Sequence, residues 1–232
     1  MARLLYDLAG ADPNLRFSPY CWRTKLALAH KGLAVETVPW RFTDWNIIAF
    51  SGQGRVPVLV DGGRTVSDSW AIATYLEEAY PERPSLFGAP DAIGVTRFVN
   101  AWADTVLQVA MVGLVVSDIA KIIHDKDKAY FRESREKRFG KPLEQVTAGR
   151  EDRVEAFRAQ LLPLRHTLSA QPYLAGDAPA YADYIVFGSF QWARCVSAFE
   201  LLAPDDVVSD WRERMLGLFD GLARSAPCAA AA

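Results

Sequence analysis

Apolar and polar residues follow two different patterns along the chain, and the pattern changes between residues 81 and 90. Before this segment, short apolar runs at 3–8, 34–39 and 55–60 predict strands, and the last of them leads into a hairpin. A stretch with helical spacing lies between the first two runs and predicts a helix. After the segment at 81–90, apolar residues recur every three or four positions, which predicts helices only. The segment itself contains three prolines and a glycine, a composition typical of a linker. We therefore predict an α/β domain at 1–82 and an all-helical domain at 91–232.

The order of elements in the first domain should be βαβ–ββα, because a strand–helix–strand unit of this length joins parallel strands. Residues 61–64 (Asp-Gly-Gly-Arg) match a hairpin turn. In the second domain we expect one long helix or two over 91–124, a helix over 142–170 kinked at Pro163, a buried central helix over 180–199 and an amphipathic helix over 210–223. We interpret the charged segment 125–141 as a solvated loop or helix pair rather than a lid.

The composition is that of an ordinary soluble globular protein, with 50% apolar and 23% charged residues. A net charge of -2 without a block of like charges gives no reason to expect nucleic acid or a membrane surface as partner. The longest apolar run, 106–116, is too short to span a bilayer. The three cysteines do not have the spacing of a disulfide framework, which predicts reduced thiols. Together with the lack of a signal-peptide pattern, this predicts a cytoplasmic location.

The start of the helix predicted over 19–31 is the first candidate for chemistry. Ser18 suits the N-cap, where its hydroxyl accepts from an unpaired backbone N–H, and Pro19 suits the first helical position. Cys21 follows within the first turn. Because a helix N-terminus stabilises a nearby anion, and a thiolate is such an anion, this position is suited to sulfur chemistry. The alternative is that Ser18 is only a cap, which contributes about 1 kcal/mol.

Four separated motifs resemble those of the glutathione transferase superfamily and occur in its order. They lie at 18–21 (Ser-Pro-Tyr-Cys), 56–57 (Val-Pro), 68–69 (Asp-Ser) and 176–183. The resemblance implies a thioredoxin-like N-terminal domain followed by a helical bundle. A narrower resemblance, to the bacterial β-etherase transferases and the related fungal etherase-like class, rests on residues 18–25, 68–70, 134–136 and 148–153. The folding motif departs from the family at Ala180, where a hydroxyl or amide residue is usual, so Asp183 should bond backbone with lower local stability.

The resemblance also implies roles for residues along a glutathione-binding groove. Ser18 would hold the bound thiol as a thiolate, and a cis Pro57 would present the backbone of Val56 to the peptide. Asp68 would face the γ-glutamyl ammonium and Ser69 would bind its carboxylate, unless the pair simply caps a helix. Candidates for the glycyl carboxylate are Arg55, Trp45 and Arg41.

The second substrate should lie between the domains, above Ser18. Aromatic faces suit aromatic ligands, and we select Tyr20, Trp40, Phe42 and Trp102 as candidate walls, with core packing as the alternative for each. The resemblance further implies a homodimer. In it, Asp104 would reach the partner's ligand or, alternatively, be a solvated helix residue.

We therefore predict a cytoplasmic, homodimeric glutathione transferase of the detoxification type, with glutathione as cosubstrate and no metal. The thiolate would attack an electrophilic carbon of an apolar, aromatic molecule. The most specific form of this prediction is cleavage of a β-aryl ether, with phenolate as the leaving group. A second hypothesis is a protein of this fold that binds aromatic ligands without chemistry. A third is glutathione-dependent thiol–disulfide exchange through Cys21, for which the alternative is a buried, structural cysteine. We interpret Cys195 and Cys228 as structural.

Overall fold

The structure, a computed structural model, describes residues 3–89 and 91–229. The outer limits of the two predicted domains, at residues 1 and 232, and the end of the predicted linker at Pro90 lie outside this part of the chain. The first domain contains β1 (Leu4–Leu8), α1 (Pro19–His30), β2 (Glu36–Trp40), a 3₁₀ helix (Trp45–Ser51), β3 (Val58–Asp61), β4 (Arg64–Ser67) and α2 (Ser69–Ala79). The second contains α3 (Ala92–Trp102), a π-helical turn (Ala103–Leu107), α4 (Gln108–Ile122), α5 (Asp125–Phe139), α6 (Leu143–Thr147), α7 (Arg150–Gln160), α8 (Leu162–Ala170), α9 (Tyr181–Val196) and α10 (Val207–Gly221).

The sheet of the first domain has the thioredoxin-like arrangement that was predicted. Its four strands lie in the order β2-β1-β3-β4, with β1 and β2 parallel and the other two pairs antiparallel. Leu5 and Leu59 pair across β1 and β3, and both are fully buried. The β3–β4 hairpin turns at Gly62 and Gly63, whose φ angles of 57° and 89° fit glycine. The fold class is therefore α/β followed by all-α.

The helical domain matches the predicted elements over 91–124 and differs from them at 142–170, at Pro163 and at 125–141. Residues 92–122 form one continuous helical segment in which the π-helical turn separates α3 from α4. Residues 142–170 divide into three helices, because Gly149 has a φ of 63° between α6 and α7 and Leu161 separates α7 from α8. Pro163 thus lies in the first turn of α8, where its missing N–H costs nothing. The charged segment forms the single helix α5.

The two domains share one hydrophobic core, in which α1 packs directly against α9. Gly188 of α9 lies at this crossing, since a Cβ built there would meet the Pro19 carbonyl oxygen at 2.6 Å. The Tyr181 hydroxyl donates to the carbonyl of Ser69 at 2.6 Å, which joins α9 to the start of α2. These contacts hold the N-terminal ends of α1 and α2 in fixed positions relative to the helical domain.

Asp183 organises the loop that precedes α9, as the folding motif predicts. Its buried carboxylate accepts hydrogen bonds from the backbone N–H groups of Leu174 (2.8 Å), Ala175 (3.3 Å) and Ala180 (3.2 Å). The indole N–H of Trp211 in α10 donates to the same carboxylate at 2.9 Å. Asp183 therefore bonds the backbone at the helix start, as expected, and joins the loop to two helices.

The segment Ala92–Ile122 is long and apolar enough to cross a membrane by length and composition alone. The apolar run at 106–116, which alone is too short to span a bilayer, lies within this segment of 31 residues. One side of this segment is core: Met111 and Val115 are fully buried. Another side is exposed, with Phe98 at 70% and Val95 at 68%.

Candidate active site

Ser18 lies at the N-cap of α1 and faces a cavity between the domains. Its backbone is extended, and its Oγ accepts from the Cys21 backbone N–H at 3.2 Å. Capping uses a lone pair of Oγ, so the hydroxyl proton remains available to donate to a group in the cavity. The capping role and a role in holding an anion are therefore compatible at this residue.

The loop that faces Ser18 across the cavity contains Arg55 and Val56, which both line it. The Val56–Pro57 peptide bond is cis. Within the described residues, Val56 lies outside the ladder, which begins at Val58, and its N–H and C=O make no backbone hydrogen bond. An extended peptide could therefore pair with them as an added strand.

Asp68 and Ser69 lie at the start of α2, behind this loop rather than on the cavity wall. Asp68 has a φ of 79° and caps the helix, since its carboxylate accepts from the N–H groups of Trp70 (2.9 Å) and Ala71 (3.1 Å). Its own N–H donates to the carbonyl of Pro57 at 3.3 Å, so the helix start is joined to the cis peptide. Ser69 is buried and Asp68 is exposed.

The cavity has a volume of about 570 Å³ and is lined by both apolar and polar side chains. Of the predicted walls, Tyr20, Trp40 and Phe42 line it. The helical domain contributes a second set of apolar walls that sequence reasoning did not assign. These are Val109, Val112, Val116 and Ile119 of α4, Tyr130, Phe131 and Phe139 of α5, and Trp192 of α9.

Trp102 does not line the cavity, which corrects the sequence-based prediction. It is half-buried against the hydrophobic core. The lining residues of this helical segment start at Asp104 and Gln108. Trp102 is two residues before Asp104, a rotation of about 200° around a helix, so its ring points to the other side.

Trp45 and Arg41, two candidates for the glycyl carboxylate, also lie off the cavity wall. Trp45 is 50% exposed, and its ring makes an edge contact with the ring of Tyr130 at 5.6 Å between centroids. Arg41 donates to the carbonyls of Gly10 (3.1 Å) and Ala11 (3.2 Å), so its guanidinium anchors a loop. Of the three candidates, Arg55 alone lines the cavity.

Helix α5 forms one wall, although its charge led us to interpret the segment as solvated. Phe131, Ser134, Arg135, Arg138 and Phe139 all line the cavity. Their spacing of three and four residues places them on one face of the helix. This periodicity was present in the sequence, but the arginines concealed it because a charged residue is usually assigned to solvent.

Asp104 is paired inside its own chain, so it is not the freely solvated helix residue of the alternative, and its reach to a partner's ligand stays a prediction. Its carboxylate accepts from the fully buried Arg23 at 2.8 Å and from the Asn100 amide at 3.0 Å. Arg23 also lies over the ring of Tyr20, 4.8 Å from the centroid. The first turn of α1 is therefore joined to the helical domain by an ion pair.

Cys21 is fully buried beneath the first turn of α1. Burial, together with the nearby negative charge of Asp7, raises the pKa of its thiol well above the usual range. Asp7 is paired with Lys25 at 2.8 Å, and both side chains are buried. A buried thiol with a raised pKa is a poor nucleophile, which favours the structural interpretation of Cys21.

Fold and site together define a two-domain protein of the thioredoxin-like class, with a cis-proline loop and a capped helix start at one interdomain cavity. The chain belongs to the glutathione S-transferase family: the model of the family's N-terminal domain matches residues 13–84, and that of its C-terminal domain matches residues 95–217.

Individual relatives are more distant. A "Glutathione S-transferase zeta class" of Euphorbia esula is 45% identical over 85 residues, or 32% of this chain and 37% of that protein. The "Glutathione S-transferase-like protein ustS" of Aspergillus flavus is 27% identical over 54% of this chain and 49% of that protein. The matches thus span less than half the length of these relatives. A crystal structure of a glutathione S-transferase of Ceriporiopsis subvermispora in complex with glutathione is 25% identical, with a TM-score of 0.78, and covers 95% of this chain and 97% of that one.

Proposed function

We propose that this protein is a glutathione transferase in which the Ser18 hydroxyl stabilises the thiolate of bound glutathione. The observation that carries the proposal is the position of Ser18, at a helix N-cap on the cavity wall, where capping uses its hydroxyl oxygen as acceptor and not its proton. A hydroxyl donor and a helix N-terminus both favour the charged form of sulfur over the thiol, whose ordinary pKa is about 8.5. The related fungal crystal structure, which is a complex with glutathione, supports the choice of ligand.

In this proposal the peptide lies along the loop at residues 55–57. The N–H and C=O of Val56 pair with the cysteinyl backbone, beside the cis bond to Pro57. The γ-glutamyl end reaches the start of α2, where Ser69 and the free oxygen of Asp68 bind its carboxylate and ammonium. Arg55 binds the glycyl carboxylate, and Trp45 packs beside the peptide.

The cosubstrate occupies the apolar part of the cavity, against Tyr20, Trp40 and Phe42. The thiolate attacks an electrophilic carbon, a C–S bond forms, and the leaving group departs with the electron pair of its former bond. In the sharpest version the carbon is the β-carbon of an aryl ether and the leaving group is a phenolate. This version is supported by the sequence motifs at 134–136 and 148–153, and we place the enzyme in the cytoplasm.

A second copy of the chain is proposed to cover the exposed apolar side of α3 and α4. Val95, Phe98 and Val106 recur every three to eight residues along this side and are 42–70% exposed. Exposed apolar patches of this kind typically mark protein contacts. A homodimer would also explain why a helical segment with the composition of a membrane span has one bare side.

The test compares Ser18→Ala and Ser18→Thr with the wild type, using 1-chloro-2,4-dinitrobenzene and a β-aryl ether model compound. We expect Ser18→Ala to lower kcat/KM about a hundredfold, and its acidic limb in a pH profile to move up toward the pKa of free thiol. Ser18→Thr keeps a hydroxyl and should retain most activity. Loss of the cap alone costs about 1 kcal/mol of stability, which thermal unfolding measures separately.

Each outcome decides between the hypotheses. Unchanged kcat/KM in Ser18→Ala removes Ser18 from the mechanism. Tight binding of aromatic ligands without consumption of glutathione favours the non-catalytic binding protein. A mixed disulfide between glutathione and Cys21, detected by intact mass, favours thiol–disulfide exchange.

A further inference from the structure

The cavity contains more positive charge than the reaction with a neutral cosubstrate requires. Arg55, Arg135 and Arg138 all line it, and they are the basic residues among its described lining. Its one lining carboxylate, Asp104, is already paired with Arg23 at 2.8 Å. The chain as a whole is slightly acidic, with a net charge of -2, so this local excess is not a property of the general surface.

Arg135 is held in a defined position. Its guanidinium carbon lies 5.1 Å from the centroid of the Phe42 ring and 4.7 Å from that of Phe131, and the two centroids are 5.5 Å apart, so the group packs against both neighbouring rings. Nη1 donates to the Ser134 hydroxyl at 2.8 Å. Burial, with repulsion from Arg138 and Arg55, lowers the pKa of Arg135. A guanidinium remains charged at neutral pH, so this burial leaves a partly desolvated cation.

The acidic residues of α5 do not neutralise this cation. Glu136 pairs with Arg132 at 2.7 Å, and Arg132 also pairs with Glu144 at 2.7 Å, on the side of the helix that faces solvent. Within the described residues, Arg135 and Arg138 form no ion pair with a carboxylate. The helix therefore neutralises Arg132 and leaves the two arginines that line the cavity for a ligand.

Glutathione does not account for these two arginines. Under the proposed function, on which this inference rests, its thiolate lies at Ser18, its glycyl carboxylate at Arg55, and its γ-glutamyl end at the start of α2. Arg135 and Arg138 come from the helical domain, on the wall where the cosubstrate lies.

We propose that the cosubstrate is an aromatic electrophile that carries a fixed anion, such as a ring carboxylate, and that Arg135 binds this group. The planar guanidinium matches a carboxylate with two parallel hydrogen bonds, and its contacts with the two rings preorganise it. Arg138 adds positive charge to the cavity lining, and the aromatic side chains of the lining pack against the ring of the cosubstrate.

The experiment uses a matched pair of substrates, 4-chloro-3-nitrobenzoate and 4-chloro-3-nitrobenzamide. In both, the glutathione thiolate attacks the ring carbon that bears chlorine, a C–S bond forms, and chloride leaves with the electrons of the C–Cl bond. Each rate is divided by the uncatalysed rate with glutathione, and the benzoate-to-benzamide ratio of the corrected kcat/KM values is the readout.

We expect this ratio to exceed ten in the wild type and to fall about tenfold or more in Arg135→Gln. In Arg135→Lys it should be intermediate, because lysine keeps the charge but cannot form two parallel hydrogen bonds to a carboxylate. The control is Lys137→Gln, a cation on the same helix that is exposed and off the cavity wall. It should change the ratio less than about twofold. A wild-type ratio near one, or a ratio that Arg135→Gln does not change, overturns the proposal. So does a rise in KM for glutathione in place of the change in ratio.

A binding measurement separates this inference from the proposed function. Fluorescence titration with 8-anilinonaphthalene-1-sulfonate, an anion, and N-phenyl-1-naphthylamine, its neutral counterpart, needs no turnover. If no electrophile is consumed but Arg135→Gln weakens the anionic dye selectively by about tenfold, the anion site stands and the transferase proposal fails. If Ser18-dependent turnover is present but Arg135→Gln affects both dyes and both substrates equally, the transferase stands and the anion site fails.

Discussion

Asp183→Ala is expected to be among the most destabilising single substitutions outside the active site. The substitution removes a buried carboxylate that accepts four hydrogen bonds, three from backbone N–H groups and one from the Trp211 indole. The indole is itself fully buried, so water cannot easily replace the lost acceptor there. Each donor left unsatisfied costs about 1–3 kcal/mol.

The sum of four such costs overstates the effect, for a reason that the structure shows. Burial raises the pKa of the Asp183 carboxyl even though the four donors lower it, so the ionised group carries a desolvation penalty that alanine relieves. Allowing for this penalty and for one water in the vacated space, we expect a loss of about 4 kcal/mol in the free energy of unfolding. Such a loss is a large part of the stability of about 5–15 kcal/mol that is typical of a protein domain.

Urea unfolding at pH 7, followed by tryptophan fluorescence at one fixed protein concentration, measures the loss. Asp183→Asn keeps one acceptor oxygen and turns an amide toward the other donors, so its loss should be intermediate; it also gives a result if the alanine variant does not fold. The control is Asp177→Ala, an exposed carboxylate in the same loop, which should change stability by less than about 0.5 kcal/mol. A loss below about 1 kcal/mol in Asp183→Ala, or one equal to that of the control, refutes the reasoning.

Three further predictions concern the domain contact, the acid range and the exposed helix side. Gly188→Ala should lower both stability and kcat/KM, because its methyl group would lie 2.6 Å from the Pro19 carbonyl oxygen; Gly94→Ala, with nothing within 4 Å, should be neutral or stabilising in thermal melts, and equal effects of the two would contradict this. Burial of the Asp118 carboxyl raises its pKa, but hydrogen bonds from two cations and a serine outweigh burial and hold the pKa below its ordinary value of 3.8. The stability that this carboxylate contributes is present above that value and lost below it. In urea unfolding, the difference in the free energy of unfolding between wild type and Asp118→Asn should therefore shrink from about pH 6 to about pH 3. A difference that stays constant would exclude the ion pairs as the source of this stability. Phe98→Ser should convert the proposed dimer to monomer in light scattering performed without detergent; a wild type that is already monomeric, or that requires detergent, would show that this side of α3 has another role.

The sequence predicted the first domain well because its signals are local. Ser18 and Pro19 mark a helix start by their own chemistry, and Gly62 and Gly63 mark a hairpin by the backbone angles they permit. Helical spacing is a local signal too. Within the predicted helix 142–170, the apolar residues that recur every three or four positions are all buried (Val154, Phe157, Leu161, Leu164 and Leu168), although the segment forms three helices rather than one kinked helix.

The walls of the cavity were predicted less well because they depend on tertiary contacts. Trp102 was selected for its aromatic ring, but the helical phase at that position, next to a π-helical turn, directs the ring away from the cavity. Arg135 was assigned to solvent for its charge, yet it packs against two phenylalanine rings from different domains. No spacing rule along one helix can show that Phe42, almost a hundred residues earlier, completes that environment.

The ion pair between Arg23 and Asp104 constrains how the two halves of such a protein can be exchanged. Arg23 belongs to the same helix as Ser18, and its partner belongs to the helical half. A chimaera that joins residues 1–82 to the helices of a relative must therefore supply both an acid at 104 and a residue without a side chain at 188. Otherwise the buried Arg23 is left without a carboxylate partner, and helix α1, which carries the Ser18 hydroxyl, is displaced. The unit that can be inherited intact is therefore the whole chain.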